Sequence, residues 1–196
     1  MPSVAEHKPL LMRANRVLGA QLVELNLVKI QDIEQANEKL LELTAKGMWR
    51  QSSVLAILAY DLKVVREDDL LQHVVEMDGV GLVDLRDYEV PDESRKHLDI
   101  GACWATWSIP FDREEEFYFV ATAYYLSSAV RAFWEKQLNG PILWFGTTLD
   151  GVADYLEKLQ TERTASLTPF GSRPPVPGAP AVPGGTPRIF PAPAKT

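Results

Sequence analysis

The sequence predicts an α+β fold, with a four-helix N-terminal part, a small α/β part and a proline-rich tail. In residues 10–78, leucine and other apolar residues recur every three or four positions, which is the period of an amphipathic helix. After Gly79 the pattern changes to short β-branched and aromatic runs that alternate with helical segments. Nine prolines then occupy the stretch from Pro169 to Pro193, and proline is excluded from helix interiors and central strands. We therefore divide the chain into an N-terminal extension (1–9), a helical subdomain (10–79), an α/β subdomain (80–163) and a tail (164–196).

Four helices account for the first part. We expect them near 10–25, 30–45, 52–62 and 66–77. Gly47 and Gly79 follow the second and fourth helices, where glycine readily takes the left-handed conformation of a C-cap. Ser52 and Ser53 open the third helix, since serine oxygens accept hydrogen bonds from the free amides of a first turn.

The second part is expected to follow the order β-α-β-β-α-β-α. Two apolar runs, WATWSIPF and FYFVATAYY, flank the polar turn DREEE, and this arrangement predicts a β-hairpin. A strand in GLVDLRDY and a short helix begun by Pro91 precede the hairpin. A helix over 126–138, a buried strand ILWFGTT and a last helix from Leu149 follow it.

The charge of the chain is unevenly spread. The net charge is -7, but residues 164–196 contain three cations, Arg173, Arg188 and Lys195, and no acid. The first 163 residues therefore hold the other 17 cations and all 27 acids, a net charge of -10. An acidic body argues against nucleic-acid binding through its surface, although a local pocket could still hold a small anion.

Targeting and redox signals are also few. No apolar run reaches the roughly 18 residues of a membrane span, and the N-terminus lacks the apolar core of a secretory signal. We therefore expect a cytoplasmic protein. The single cysteine, Cys103, excludes an internal disulfide framework and a cysteine-based zinc site.

The sequence carries no motif for catalysis. It has no Gly-Lys pair, so a phosphate-binding P-loop is absent. His7, His73 and His97 lie far apart, and none belongs to an H-E-x-x-H motif. The acidic run 112–116 occupies a hairpin turn, where a solvated charge cluster is a better interpretation than a pair of catalytic acids. We predict a protein that is not an enzyme, with no metal and no obligatory cofactor.

A repeat stands out in the helical part. Residues 16–36, RVLGAQLVELNLVKIQDIEQA, are echoed 37 positions later by residues 53–73, SVLAILAYDLKVVREDDLLQH. Each unit would be a helix–turn–helix whose apolar face cannot be buried alone, and two stacked copies would bury both faces. Any two helical hairpins share some leucines, but the match of Asp32 with Asp69 at the start of the second helix favours true repetition.

These segments resemble a known family. LGAQLVELNLVKIQDIEQA is similar to the repeated motif of MshEN-type domains, which form the N-terminal region of bacterial type II secretion and type IV pilus assembly ATPases. GLVDLRDYEVPDES and WSIPFDREEEFYFVATA resemble the segments that follow the repeats, so the resemblance covers about residues 10–160. It implies a helical MshEN subdomain followed by a compact α/β subdomain. In the family this region precedes a hexameric ATPase; some members bind cyclic di-GMP through the repeats, and others dock on an inner-membrane partner.

The resemblance also indicates where a nucleotide would bind. In the first copy the matching residues are Leu18, Gly19, Leu22 and Val23. The position that the motif gives to arginine is Val17, and Asn26 replaces the second glycine. The second copy departs further, with Val54 for the arginine, Ala56 for the first glycine and Lys63 for the second. Because a phosphate needs cationic donors and close backbone approach, we expect the cyclic di-GMP site to be lost or much weakened.

The leading functional prediction is therefore a non-enzymatic protein–protein interaction module. The resemblance implies a secretion or pilus assembly ATPase, or an inner-membrane platform protein, as its partner, and a position at the inner face of the membrane through that partner. A nucleotide or cyclic di-GMP sensor with a degenerate motif is the alternative.

Two segments could make the contact. Trp49 and Arg50 lie in the linker between the helical pairs, and Trp and Arg are common interface anchors. The competing interpretation of Trp49 is that it closes the helical bundle. We expect the tail to be disordered, as a linker or as a polyproline II peptide that docks on a partner with Ile189 and Phe190 as anchor.

Overall fold

The computed structural model describes residues 4–96 and 98–167, and its class is α+β as predicted. The tail that the sequence predicts to be disordered lies outside these residues from position 168 onward. The helices are α1 (Lys8–Glu24), α2 (Ile30–Ala45), α3 (Val54–Ala56), α4 (Glu67–Asp78), α5 (Asp92–Lys96), α6 (Ile100–Thr106), α7 (Ser128–Leu138) and α8 (Leu149–Leu167). The strands are β1 (Gly81–Leu82), β2 (Ser108–Glu114), β3 (Phe117–Thr122) and β4 (Ile142–Gly146). Short 3₁₀ turns occupy Val4–His7 and Trp49–Gln51.

The four strands form one sheet with the order β1-β4-β3-β2. β2 and β3 pair antiparallel, which confirms the predicted hairpin, whereas β4 runs parallel to both β3 and β1. β2 carries an irregularity between Pro110 and Asp112, where the register with β3 shifts. Proline has no amide to donate to a sheet, so a break of the ladder at this point is expected.

A residue in the left-handed conformation follows the C-terminal end of α1. Asn26 has φ 56°, and the amides of Asn26 and Leu27 donate to the carbonyls of Val23 and Leu22 at 3.0 and 2.9 Å. This is the hydrogen-bond pattern of the Schellman motif, which satisfies carbonyls that a helix end leaves free. Asparagine tolerates this conformation better than most residues, which explains its presence where glycine would be usual.

The third helix differs from its prediction. Ser53 is the N-cap as expected, because its Oγ accepts from the amide of Ala56 at 3.0 Å. However, the regular α-helix ends at Ala56, and residues Ile57–Asp61 form a π turn in which the amide of Leu62 donates to the carbonyl of Ile57 at 2.9 Å. A π turn contains one extra residue per turn, and an apolar spacing of three to four does not reveal it.

The α/β part needs three corrections. WATWSIPF is not one strand, because its first half belongs to α6 and the strand starts at Ser108. Asp99 caps α6 by accepting from the amide of Ala102 at 3.1 Å, and all residues from Gly101 to Thr106 are buried. A short helix that is buried on every side has no polar face, so its sequence lacks the helical period. Such a sequence cannot be distinguished from that of a buried strand. In addition, the strand expected in GLVDLRDY is confined to β1, and α8 continues through Leu167, past residue 163.

One hydrophobic core joins the helical part and the sheet. It includes side chains of α1, α2 and α4 together with those of α6, the sheet, α7 and α8. α1 packs against both α6 and α7. Polar contacts cross the same boundary, since Ser127 Oγ on the loop before α7 donates to the carbonyl of Ala14 at 2.9 Å. Among the residues described, no helix combines the length and hydropathy needed to cross a bilayer.

Candidate functional site

The residues that the family resemblance assigns to a nucleotide site lie on α1, and three of the four are buried. Leu18 and Leu22 are 1% and 0% exposed and belong to the core, while Val23 is half-buried. Gly19 faces α2, where an added Cβ would lie 3.4 Å from Cγ2 of Ile33. The glycine therefore permits close packing of the two helices. A ligand could touch Leu18, Gly19 or Leu22 only if α1 and α2 moved apart.

The turn positions of the two sequence copies share an uncommon backbone conformation. Asn26 has φ 56° and Lys63 has φ 54°, and these residues are 37 positions apart. A non-glycine residue with positive φ is uncommon, and a lysine there is strained. By the sequence resemblance, both positions correspond to the second glycine of the family motif, and in this chain both take the left-handed conformation without a glycine.

A groove runs along the surface between α1 and α2, with a volume of about 400 Å³. Arg13 and Arg16 are exposed on one face of α1 and line it, together with Asn37 of α2. Arg16 is therefore displaced from the buried stripe of Leu18 and Leu22, as its position one residue before Val17 predicts. Two arginines and an amide beside apolar walls can hold an anionic group.

Trp49 and Arg50 lie on the surface, in the 3₁₀ turn that follows α2. Trp49 is half-buried, and Nζ of Lys8 lies 6.0 Å from the centre of its ring. Arg50 is exposed and donates from Nη2 to Oε1 of Gln160 on α8 at 2.6 Å. Its guanidinium also lies 5.6 Å from the ring of Trp104. Trp49 thus exposes part of its ring to solvent, while Arg50 connects the turn to α8.

Arg50 also belongs to a shallow depression of about 560 Å³ along α8. Glu157 lies 3.9 Å from Nη1 of Arg50, and both side chains are more than half exposed. An ion pair of this length and exposure adds little stability. The position of the guanidinium is therefore set mainly by its contacts with Gln160 and with the ring of Trp104.

A second polar contact joins the helical part to α8. Glu67 at the start of α4 accepts from the amide of Leu149 at 2.7 Å and from the hydroxyl of Tyr60. Burial raises the pKa of Glu67 above its usual range, although both hydrogen bonds act in the opposite direction. Burial, together with the bond to Glu67, also raises the pKa of Tyr60. The carboxylate satisfies a free amide in the first turn of α8, which is the role of an N-terminal cap.

The turn of the hairpin is shorter than predicted, because it consists of Glu115 and Glu116 while the acidic run from Asp112 to Glu114 belongs to β2. Glu114, Glu115 and Glu116 are exposed, and Glu115 takes φ 53° at its tip. Asp112 is bound differently, because it accepts from the hydroxyl of Tyr88. This hydrogen bond, with a smaller contribution from burial, raises the pKa of Tyr88 to about 12.

His7 and Cys103 also have side chains that can take part in catalysis, and both are in contact with other parts of the fold. His7 contacts Oδ2 of Asp99 at 3.1 Å, and burial raises the pKa of the fully buried Cys103 thiol, which disfavours its reactive form. Within residues 4–96 and 98–167, no group of three or more His, Cys, Asp and Glu side chains is placed to hold a metal ion. His97 lies outside the described residues.

One polar cluster at the centre of the molecule is not among the predicted sites. Asn15 is fully buried, and its Oδ1 accepts from the amide of Val54 at 2.6 Å and from the hydroxyl of Tyr124 at 2.7 Å. Its Nδ2 donates to the carbonyls of Leu11 and Ser52 at 2.9 and 3.4 Å. The signal was present, because Asn15 lies directly beside the apolar stripe of α1 and a buried amide needs such partners.

Comparison with known proteins gave similarities of structure alone. No protein-family model matches the chain, and no curated protein matches it in sequence. The chain is similar to the structure of MshE with cdg, at 17% identity and a TM-score of 0.47, over 72% of this chain and 97% of that one. It is also similar to the N-terminal domain of XpsE, at 20% identity and a TM-score of 0.47, over 69% of this chain and 89% of that one.

The resemblance indicated by the sequence motifs is thus found again among solved structures. At this level of similarity, any functional role must rest on the residues of this chain. The described surface offers a cationic groove between α1 and α2, an aromatic and cationic turn beside α8, and a third groove beside the hairpin.

Proposed function

We propose that this chain is a non-enzymatic protein–protein interaction module that contacts its partner through the turn Trp49–Gln51. The observation that carries the proposal is the placement of Trp49 and Arg50 side by side at the surface. Tryptophan and arginine are enriched among the residues that dominate binding energies. Arg50 is held from behind by the ring of Trp104, so less side-chain entropy is lost when a partner binds it.

The partner follows from the sequence resemblance. Domains of the MshEN type belong to secretion and pilus assembly ATPases, so we propose such an ATPase, or its inner-membrane platform protein, as the partner. Two copies of the helix–turn–helix unit would form the helical part, an arrangement that the matched φ values of Asn26 and Lys63 support. The protein would act in the cytoplasm and reach the inner face of the membrane through this partner.

Purified components test the proposal. The affinity of the chain for the assembly ATPase and for the cytoplasmic part of the platform protein of the same organism would be measured by calorimetry. Replacement W49A should weaken binding to one of them by about 30-fold, which corresponds to the roughly 2 kcal/mol typical of an anchor residue. Replacement of Met48 by Ala is the matched control, because Met48 precedes the turn and is also exposed.

The melting temperature separates the two interpretations of Trp49. If W49A weakens binding and leaves the melting temperature within about 2 °C, the residue acts at the interface, since about 1 kcal/mol shifts the melting of a chain of this size by 2–4 °C. A large fall in melting temperature with unchanged affinity would mean that Trp49 closes the bundle. Absence of binding to both purified proteins would refute the proposed partners.

A second candidate function is supported by the groove between α1 and α2. Arg13 and Arg16 could bind the phosphates of cyclic di-GMP or another nucleotide there, outside the buried motif residues. Titration with cyclic di-GMP at low and high salt tests this function. Salt-sensitive binding that R16A abolishes and the control K136A leaves intact would support it, whereas absence of heat at millimolar ligand would rule it out.

A further inference from the structure

The third groove lies between α5, β2 and α7 and has a volume of about 590 Å³. Four ring-bearing side chains line it: Pro91, Pro110, Tyr118 and Trp134. Leu98 and Leu138 add apolar surface. Rings that form shallow, rigid walls are the usual lining of sites that bind proline-rich peptides in the polyproline II conformation.

Tyr118 is held in position before any ligand arrives. A Cβ at Gly140 would lie only 2.9 Å from Cε2 of Tyr118, so the glycine lets the ring pack directly against the backbone. The guanidinium of Arg113 lies 4.8 Å from the centre of the same ring. A ring fixed by such neighbours loses little rotamer entropy on binding, which favours affinity.

The groove also contains two carboxylates. Asp112 accepts from the amide of Arg113 at 2.7 Å and from the hydroxyl of Tyr88, and Asp99 accepts from the amide of Ala102 at 3.1 Å and contacts His7. An ionised carboxylate has about four acceptor positions, so both groups keep capacity for a further donor. Arg113 is the cation of this lining, and its side chain is directed onto Tyr118.

The tail has the sequence that such a groove would recognise. Pro174, Pro177, Pro180 and Pro183 are spaced by three residues, and Arg173 comes immediately before them. A polyproline II helix has three residues per turn, so these prolines would form one ridge. The tail contains three cations and no acid, which complements the two carboxylates of the groove.

The tail also starts close to the groove. Arg163 of α8 donates from Nη1 to the carbonyl of Leu98 at 3.2 Å, and Leu98 is part of the groove wall. α8 ends four residues later at Leu167, about 6 Å further along its axis. Arg173 follows after six more residues, which span about 19 Å in an extended proline-rich chain. The tail can therefore reach the groove without a long excursion.

We propose that residues 173–183 dock in the groove of their own chain as a polyproline II segment, with the proline ridge on the half-buried Tyr118 and with Arg173 beside Asp112. The groove between α1 and α2 is a poorer site for this segment, because Arg13 and Arg16 would repel a cationic tail. The proposal concerns a surface separate from the turn Trp49–Gln51 and stands independently of the proposed function.

Disulfide trapping in the full-length chain tests the proposal. Gln137 lies on the rim of the groove, and Ala179 lies between two prolines of the ridge without belonging to it. In the double variant Gln137→Cys and Ala179→Cys, docking should bring the thiols together, since a disulfide requires Cα atoms within about 7 Å. The control pair is Lys136→Cys and Ala179→Cys, because Lys136 is exposed on the same helix but does not line the groove. Cys103 is fully buried and does not compete.

In glutathione buffer, the pair with Gln137→Cys should form its intramolecular disulfide at least tenfold faster than the control pair. Adding Arg173→Glu, or replacing Pro174, Pro177 and Pro180 by serine, should lower that rate towards the control value, while the circular dichroism melting curve stays unchanged. Equal rates for the two pairs would overturn the proposal. A disulfide that forms only between two chains, and more slowly on dilution, would also overturn it, because the occupant would then be the tail of a second copy.

Discussion

The buried amide of Asn15 offers the most direct test of how the helical part is joined to the sheet. Replacing Asn15 by Ala removes the acceptor for the amide of Val54, which is the first residue of α3 and has no partner within its own helix. Val54 is 0% exposed, so its amide would remain buried without a hydrogen bond. Tyr124 loses one partner but keeps the contact of its hydroxyl with Ser53 Oγ at 2.9 Å.

The magnitude follows from these contacts. An unsatisfied buried donor costs about 1–3 kcal/mol, and the lost bond of Tyr124 adds about 0.5–1.5 kcal/mol. Alanine is the better helix former and recovers roughly 0.5 kcal/mol in the interior of α1. We therefore expect N15A to lower the free energy of unfolding by about 1–4 kcal/mol, or the melting temperature by roughly 2–16 °C.

Thermal and urea unfolding of the wild type and two variants would measure the effect. Tyr124→Phe is the matched control, because it removes one hydroxyl of the same cluster and leaves the amide of Val54 bonded to Asn15. It removes both hydrogen bonds of that hydroxyl, with Asn15 and with Ser53, and should cost about 1–3 kcal/mol at about 0.5–1.5 kcal/mol for each bond. If N15A melts within about 2 °C of the wild type, then leaving the amide of Val54 without its acceptor costs less than about 1 kcal/mol, and satisfying that amide is not the main role of Asn15.

Two further predictions concern single exposed or half-buried positions. The raised pKa of Glu67 means that its contribution to stability is complete below the ordinary glutamate range near 4.5 and is lost as pH rises through the raised value. The replacement E67Q keeps an acceptor for the amide of Leu149, so its melting temperature should rise relative to that of the wild type from pH 4 to pH 7. The replacement K63G should be neutral or stabilising by up to about 1 kcal/mol, because it relieves a left-handed lysine, whereas K46G, at φ -78°, should cost roughly 0.5–1 kcal/mol in melting experiments. Equal losses for both glycine variants would mean that the backbone at Lys63 is not strained.

The sequence predicted those parts of the fold that have a one-sided pattern. α2 has the predicted bounds, and the hairpin around DREEE is present, because in both segments one face is polar and the period can be recognised. α6 was missed because its buried residues surround the helix and leave no period to read. The π turn Ile57–Asp61 was missed for another reason, since its extra residue depends on where α3 packs and leaves no local mark in the sequence.

The candidate sites were predictable to a smaller extent. The surface position of Arg50 follows from its place in a polar linker, but its partners Gln160 and Trp104 are 110 and 54 positions away in the chain. Contacts over such separations depend on tertiary packing, which no local pattern encodes. The rings and acids of the third groove come from four separate segments for the same reason. In contrast, the three-residue spacing of the tail prolines can be recognised from the sequence alone, without knowledge of tertiary contacts.

Gly19 and Lys63 together bear on whether a glycine motif implies a ligand. Gly19 allows α2 to pack closely on α1, because a Cβ at this position would lie 3.4 Å from Cγ2 of Ile33. Helix packing alone therefore accounts for this glycine. Lys63, in contrast, is exposed and holds φ 54° without a glycine. In this chain, a motif glycine is thus present where two helices pack closely and absent at an exposed turn with a left-handed backbone. Affinity for a nucleotide must therefore be judged from charged donors such as Arg13 and Arg16, and not from the glycines.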